Sequence, residues 1–371
     1  MVGWSLLADS VPLYPLYALM FADAGLSAPQ LSALFVVWSI AGVVGEVPAG
    51  ILADRWSRRG CLSAAGIGQA TGYAIWVMWP SFGGFAMGFA LWGLSGALVS
   101  GALEALLYDG LAACGAEGAF TRSYGRVSAA ALVGQLPAAA AASVLFPLGG
   151  FRLVGWASIA CCLTAALAAM RLPLAERVVS VGEPEPALRA GWRAIRADVL
   201  LRLCVVVLAA VTGLDAVEEY FPLVVHAFGV PTAGVPAVAL AIPIAGAAGA
   251  WWAGRVTNPG VAALLVASTG LFAAGVLLGR PVAVGALAAA YALYRGSVVV
   301  LQAKLQHRLT ASARATVTSL AALTAEVPVL AVYAAWAAGG MTAFCLLMLG
   351  VTLAVWRLER RHPAQLGRPN G

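Results

Sequence analysis

GILADRWSRRG, residues 50–60, is a short charged turn between two apolar runs, residues 30–53 and 61–80, and its reading decides the fold. A helix needs about 20 apolar residues to cross the hydrocarbon core of a bilayer, so each run is long enough to span one. Asp54, Arg55, Arg58 and Arg59 must then stay in water, which makes the turn the hinge of a membrane hairpin. Its arginines also suggest a side, because short cytoplasmic loops carry an excess of Lys and Arg.

Composition agrees with this reading. Of 371 residues, 62% are hydrophobic and 10% charged, whereas soluble domains carry about 25% charged residues. The expected class is an all-α polytopic membrane protein. The net charge of +6 is spread over loops on one side, so it reports orientation and not a nucleic-acid partner. The six cysteines show no metal-ligand spacing and read as small packing residues. No metal and no cofactor is expected.

Apolar runs fall at residues 4–21, 30–53, 61–80, 82–108, 124–147, 153–170, 199–227, 233–253, 260–279, 281–305, 314–337 and 341–356, twelve spans in two sets of six. Placing the loops after even-numbered spans, the linker and the tail inside collects 19 of the 22 Lys and Arg residues, so both termini are expected in the cytoplasm. The first run ends in Ala22, Asp23 and Ala24, like a signal-peptide cleavage site, but Asp9, Pro12 and Pro15 interrupt it and no basic start precedes it. It reads as a retained span.

The expected domains are an N-terminal bundle over residues 1–171, a linker over 172–198 and a C-terminal bundle with its tail over 199–371. Pro184 and Pro186 forbid a continuous helix through the linker. Beyond them Leu188, Trp192, Ile195 and Val199 recur at helical spacing among Arg189, Arg193 and Arg196, as in an interfacial helix or a plain basic connector. The halves read as a parallel repeat, since Gly25 and Gly229, and Gly50 and Gly254, both lie 204 residues apart. Gly254 and Arg255 would be a worn copy of the opening turn, with Asn258 in the place of Asp54.

The opening turn resembles the signature between the second and third helices of the major facilitator superfamily. Gly50, Leu52, Asp54, Arg55, Arg58 and Arg59 match it, and Ser57 stands where that family usually has glycine. The resemblance implies two pseudo-symmetric six-helix halves and transport of a small molecule by alternating access. It also implies a cytoplasmic gate. Asp54 would meet the amino end of the eleventh helix near Ala315 and Thr316, where free N–H groups favour a carboxylate. Asp109, at the inner end of the fourth helix with Glu104 about one turn earlier, would meet one of the arginines. A topology signal with no gating role is the competing reading of these charges.

An ionisable residue inside a span is costly unless it is paired or faces water, so each marks a candidate site. The set is Asp9, Glu46, Glu104, Asp215, Glu218, Glu219, Arg295 and Glu326. In the resembled fold, spans 3, 6, 9 and 12 face lipid, and none of the eight lies on those spans. Asp9, Glu46 and Glu104 lie near cytoplasmic ends, where they can also snorkel or cap. Glu46 precedes Pro48, so support of a kink competes with a protonation role.

Asp215, Glu218 and Glu219 are spaced i, i+3 and i+4, which predicts three carboxylates on one face of an α-helix. They cannot all be ionised at low dielectric, so at least one is expected to hold a proton near neutral pH. Arg295, the deep cation, is predicted to pair with Asp215 or Glu219. Glu326 is the leading candidate for loading and releasing protons, with Asp215, Glu219, Glu218 and Glu46 beside it. A static ion network bracing the C-terminal half is the competing reading. Tyr291 and Tyr294 share a face with Arg295, Tyr220 follows the acidic cluster, and Tyr333 lies two turns past Glu326. With Arg295 and Asp9 they are candidate cargo contacts, or, for the aromatics, plain packing.

There is no nucleotide-binding loop and no nucleophile or metal constellation, so an enzyme is not expected. The fourth span also lacks the arginine common in proton-coupled exporters of the resembled family, and the fifth offers only Gly134 to Pro137 where drug antiporters bend. The expected function is a monomeric, proton-coupled exporter of a small cationic or amphipathic organic molecule in the cell membrane. Proton-coupled uptake of a metabolite, and a non-transporting receptor on the same fold, are the alternatives.

Overall fold

The computed structural model describes residues 1–173, 199–255, 260–308 and 311–361, excluding the side chains of residues 200, 307, 308, 311–316 and 318–320. The expected interfacial helix and Asn258 lie outside the described residues. The described elements are helical: α1 (Val2–Ala8), α2 (Tyr17–Asp23), α3 (Ala28–Arg55), α4 (Arg58–Met78), α5 (Phe82–Ala112), α6 (Phe120–Ala169), α7 (Val199–Gly213), a 3-10 helix (Leu214–Tyr220), α8 (Phe221–Ala227), α9 (Val235–Ala239), α10 (Ala241–Ala253), α11 (Val261–Leu278), α12 (Ala283–Arg308) and α13 (Ala311–Arg361).

Seven helical stretches among the described residues are long and apolar enough to cross a membrane. The twelve expected spans fall on the elements in a way that explains the smaller number. The first span is broken into α1 and α2, the seventh into α7, the 3-10 helix and α8, and α4 is diluted by glycine and polar residues. Conversely, α6 and α13 each join two helices across a glycine pair. Gly149 (φ −162°, ψ 19°) and Gly150 (φ 59°, ψ −158°) are matched by Gly339 (φ −167°, ψ 25°) and Gly340 (φ 57°, ψ −141°). The second glycine of each pair has a positive φ that a side chain would strain.

The chain divides into two compact units, Met1–Ser180 with Pro231–Leu240, and Val181–Val230 with Ala241–Gly371. In unit 1, α3 and α5 approach closely at glycines: a Cβ on Gly45 would lie 3.1 Å from Ala97, and one on Gly93 would meet Ala41 at 2.8 Å. In unit 2, α10 and α12 do the same, and a Cβ on Gly249 would collide with the Ala292 backbone. Gly42, Gly45 and Gly50 each have a glycine 204 positions on, at Gly246, Gly249 and Gly254. Small residues at such crossings let helix backbones pack closely where water supplies no driving force.

The same offset relates α2 (Tyr17–Asp23) to α8 (Phe221–Ala227), each ending before a glycine of positive φ, Gly25 at 87° and Gly229 at 94°. The repeat is thus physical and not a coincidence of two glycine pairs. Its broken helices leave backbone groups that need partners. In unit 1 the Leu13 N–H, inside the break, donates to Ser158 Oγ at 2.9 Å.

At the opening turn α4 begins at Arg58, capped by Ser57, whose hydroxyl accepts from the Gly60 N–H at 3.2 Å. This cap gives serine a use where glycine is usual in the resembled signature. Trp4, Ala53, Cys61, Leu62 and Leu106 form a buried cluster at this end of the unit, and Trp4 Nε1 donates to the Ala165 carbonyl at 3.0 Å.

Candidate functional site

The acidic stretch of unit 2 departs from the expected geometry. Residues 214–220 form a 3-10 helix, with three residues per turn, and not an α-helix. Asp215 and Glu218 therefore eclipse one another, while Glu219 turns a third of a revolution away. Two contacts account for the change. Gly213, which closes α7, presses on α13 so tightly that a Cβ would strike Pro328 and lie 2.9 Å from the Ala325 carbonyl oxygen. The Tyr294 hydroxyl lies 3.0 Å from the Val211 carbonyl and 3.2 Å from that of Thr212, acceptors that a continuing α-helix would use.

The eclipsed pair faces α12. Arg295 Nη1 donates to Asp215 Oδ2 at 2.6 Å, and the Tyr291 hydroxyl lies 2.8 Å from Asp215 Oδ1 and 3.0 Å from Glu218 Oε2. Gly246 on α10 makes room for this face, since a Cβ there would sit 2.6 Å from the Tyr291 ring and 3.0 Å from Arg295. Asp215 and Arg295 keep 30% and 37% of their side chains exposed, so the network is reachable. Of the two expected partners, Asp215 takes the arginine.

Glu219 is buried on the other side, where the 3-10 helix packs on α13. Tyr333 lies within electrostatic reach of Glu219 and Glu326, and its ring is 6.3 Å from Tyr220, which in turn stacks on Trp336 at 4.0 Å. The predicted stripe of three carboxylates is thus two groups on different faces of one turn. Tyr220, Tyr291, Tyr294 and Tyr333 are all at most 3% exposed. Tyr291 and Tyr294 are hydrogen-bonded and Tyr220 and Tyr333 are packed in ring contacts, so all four rings are enclosed in this arrangement and not open to cargo.

Unit 1 contains a cavity of about 600 Å³ between α1, α4, α5 and α6, within the usual range for small-molecule sites. Asp9 and Glu104 line it, with Gln69, Ser100 and Gln135. Asp9 is seated by Gly134, where a Cβ would meet the Leu6 carbonyl at 2.6 Å and the Asp9 side chain at 3.2 Å. Glu104, expected near the gate, instead shares a hydrogen bond with Tyr124, which also engages Ser128. Glu46 lies beside the cavity, accepting from the lining residue Ser100 at 3.2 Å, and α3 runs unbroken through Pro48. Sequence reasoning missed Gln69, Gln135 and Tyr124, because neutral polar residues in spans carry little signal. It also left α4 to lipid, whereas one of its faces borders this cavity.

At the charged turn Arg58 pairs with Asp109, as one of the expected contacts, and donates to the Ala105 carbonyl at 2.7 Å. Asp109 is 3% exposed. Arg59 donates to the Leu172 carbonyl at 3.3 Å. Asp54, Arg55 and Gly50 stand at the end of α3, and Asp54 is exposed. The expected partner of Asp54, the start of the eleventh span, belongs to the other unit, and the side chains of Ala315 and Thr316 lie outside the described residues. An unforeseen contact closes the corresponding end of unit 2: Glu359 accepts from the Ala262 N–H at 3.2 Å and meets Lys304 at 3.8 Å.

Broken first helices repeated in two units, interior carboxylates with an arginine, and a paired charged turn define a polytopic transport protein. The chain belongs to the Major Facilitator Superfamily, whose family model matches residues 2–332. It is therefore a multi-pass membrane protein of a transporter family, not an enzyme. No curated protein matches the sequence. Among solved structures, it is similar to a point mutant of the nucleoside transporter NupG, at a TM-score of 0.75 and 12% identity over 98% of both chains. A bacterial homolog of the human lysosomal transporter Spinster, inward-facing and unoccupied, gives 0.71 and 15% over 100% of this chain and 97% of that one. A D-xylose-proton symporter gives 0.67 and 14% over 96% and 95%. At these identities the likeness shows the fold alone.

Proposed function

We propose that this chain is a proton-coupled secondary transporter that works by alternating access and exports a small cationic or amphipathic organic molecule. The observation that carries the coupling is the single Tyr291 hydroxyl lying within hydrogen-bond distance of two carboxylates, Asp215 and Glu218. A phenol has one proton to donate. When both contacts are made, one carboxyl must carry a proton of its own, and Arg295 holds Asp215 as the ionised partner. Glu218 is then the proton-bearing group. Glu219 and Glu326 form a second acidic pair across Tyr333, with Glu46 as an accessory acid. A ligand shifts a conformational equilibrium only by binding one state better, and a proton bound at this network supplies such a difference. The likeness to a proton symporter among the solved structures supports coupling of this kind.

Export of a cation follows from the excess of interior acid over base. The Lys and Arg bias supports both termini in the cytoplasm and insertion in the cell membrane, and the Asp54, Arg58, Arg59 and Asp109 turn serves as the cytoplasmic gate. The functional unit is a monomer. Uptake of a small metabolite is the second reading, favoured by the likeness to a nucleoside transporter and a xylose symporter. The test is accumulation of fluorescent organic cations in cells with and without the protein, repeated after collapsing the proton gradient. Lower accumulation that disappears with the gradient is expected. Raised accumulation would reverse the direction. No change for any cation would reject cation export and leave metabolite uptake or a receptor role.

A further inference from the structure

We infer that the cavity inside unit 1 is a binding pocket for a single organic cation whose charged group is held by Asp9 and Glu104. The inference rests on the proposed cargo class and assigns it to residues apart from the Arg295 network. Both carboxylates line the cavity and both are exposed, while the lining contains no lysine, arginine or histidine. Glu46 adds a third acid one hydrogen bond away, through Ser100. A cation entering this space meets only opposite charge.

The walls suit an organic ion and not a metal. About 600 Å³ far exceeds a bare ion, and no group of acids, cysteines or histidines among the described residues is arranged to hold one. Trp4 and Tyr124 supply aromatic lining, and both are already anchored, Trp4 to the Ala165 carbonyl and Tyr124 to Glu104 and Ser128. Side chains fixed before binding lose little freedom on binding, and aromatic faces attract cations.

Two buried polar atoms adjoin the cavity wall without lining it. The Tyr73 hydroxyl and Trp92 Nε1 have no hydrogen-bond partner among the described residues. Each lies one helical turn from a lining residue, Tyr73 after Gln69 on α4 and Trp92 before Gly96 on α5, and their rings are 5.4 Å apart. Tyr73 is also within electrostatic reach of Asp9. Buried polar atoms are normally satisfied. Here the two orphaned donors lie side by side in the aromatic cluster of Tyr14 and Trp76, next to the cavity's lining turns.

Ethidium, a planar organic cation with its own fluorescence, tests the assignment by equilibrium titration of the full-length protein in lipid nanodiscs. Saturable binding is expected, weakened at least tenfold by Asp9→Asn and recovered in part by Asp9→Glu. Gly96→Leu should weaken it similarly by filling the cavity, since nothing lies within 4 Å of the position its Cβ would take. Leu277→Ala, at an exposed position on α11, should leave binding unchanged. Thermal unfolding checks that each variant is folded. Absence of saturable ethidium binding, or binding indifferent to both Asp9→Asn and Gly96→Leu in folded protein, would overturn the pocket. Binding that depends on Asp9 alongside transport that ignores the proton gradient would uphold the pocket and overturn the coupling.

Discussion

Arg295 and Asp215, 80 positions apart in sequence, meet at 2.6 Å on the face where Tyr291 also reaches Glu218. Removing one partner of a buried pair leaves an uncompensated charge, at a cost of about 3–5 kcal/mol. These two side chains are roughly one-third exposed, so solvent reduces that cost. Arg295→Ala should destabilise unit 2 by about 2 kcal/mol, and adding Asp215→Asn should recover part of the loss. Thermal unfolding of the two single variants and the double variant checks this; additive losses would exclude the pairing.

Tyr291→Phe removes the one hydroxyl shared by Asp215 and Glu218 but keeps the ring that packs beside Phe221 and Tyr294. Gradient-driven transport should fall at least tenfold while thermal stability changes by less than about 1.5 kcal/mol, the upper range for one hydrogen bond. Uptake or efflux rates in vesicles under an imposed pH gradient would measure it. Unchanged rates would remove the hydroxyl from the proton path.

Glu326→Gln should abolish coupled transport with expression intact. The residue sits next to Ala325, whose carbonyl faces Gly213, so its helix is held close to the 3-10 turn that carries Glu219. Active accumulation preserved in Glu326→Gln would sink its proton role.

Arg58→Ala strands Asp109, which is almost wholly buried. A loss of about 3 kcal/mol is expected, and Asp109→Asn in the same chain should restore much of it. The comparison needs only detergent-solubilised protein and a thermal ramp; equal melting of the single and double variants would mean that the pair is not the link.

Gly213→Val tests the cause of the 3-10 turn. Its side chain would collide with Pro328, pushing α13 from α7, and overpacking of this kind costs about 1–3 kcal/mol. Transport should fall with stability. A fully active, equally stable variant would show that Gly213 does not set the turn.

Much of the fold was legible because a membrane imposes a local test on every stretch. The run of residues 30–53, the charged turn and the run of 61–80 each declare themselves through transfer cost. The 204-residue repeat was visible only as Gly25 with Gly229 and Gly50 with Gly254. The structure adds Gly42 with Gly246 and Gly45 with Gly249, glycines whose significance lies in what another helix does to them.

The site was less legible. Tyr14 and Glu218 are repeat equivalents, and each meets an aromatic residue: Tyr14 stacks on Trp92 at 6.2 Å, and Glu218 meets the Tyr291 hydroxyl. Each half thus uses a similar crossing, for packing in one and for charge in the other. The set of interior charges pointed to the second, while the cavity around Asp9 and Glu104 had no such marker for its neutral walls.

The sequence by itself determined that the chain is a bundle of membrane helices, where its charged turn lies, and which residues are costly enough in the membrane to need a purpose. Those properties depend on the transfer energies of consecutive residues. Only the tertiary structure decided that Asp215 and Glu218, and not Glu219, share Tyr291. The choice between 3.6 and 3.0 residues per turn over so short a segment is set by its neighbours, Pro328 against Gly213 and Tyr294 on the α7 carbonyls, and no local pattern encodes them.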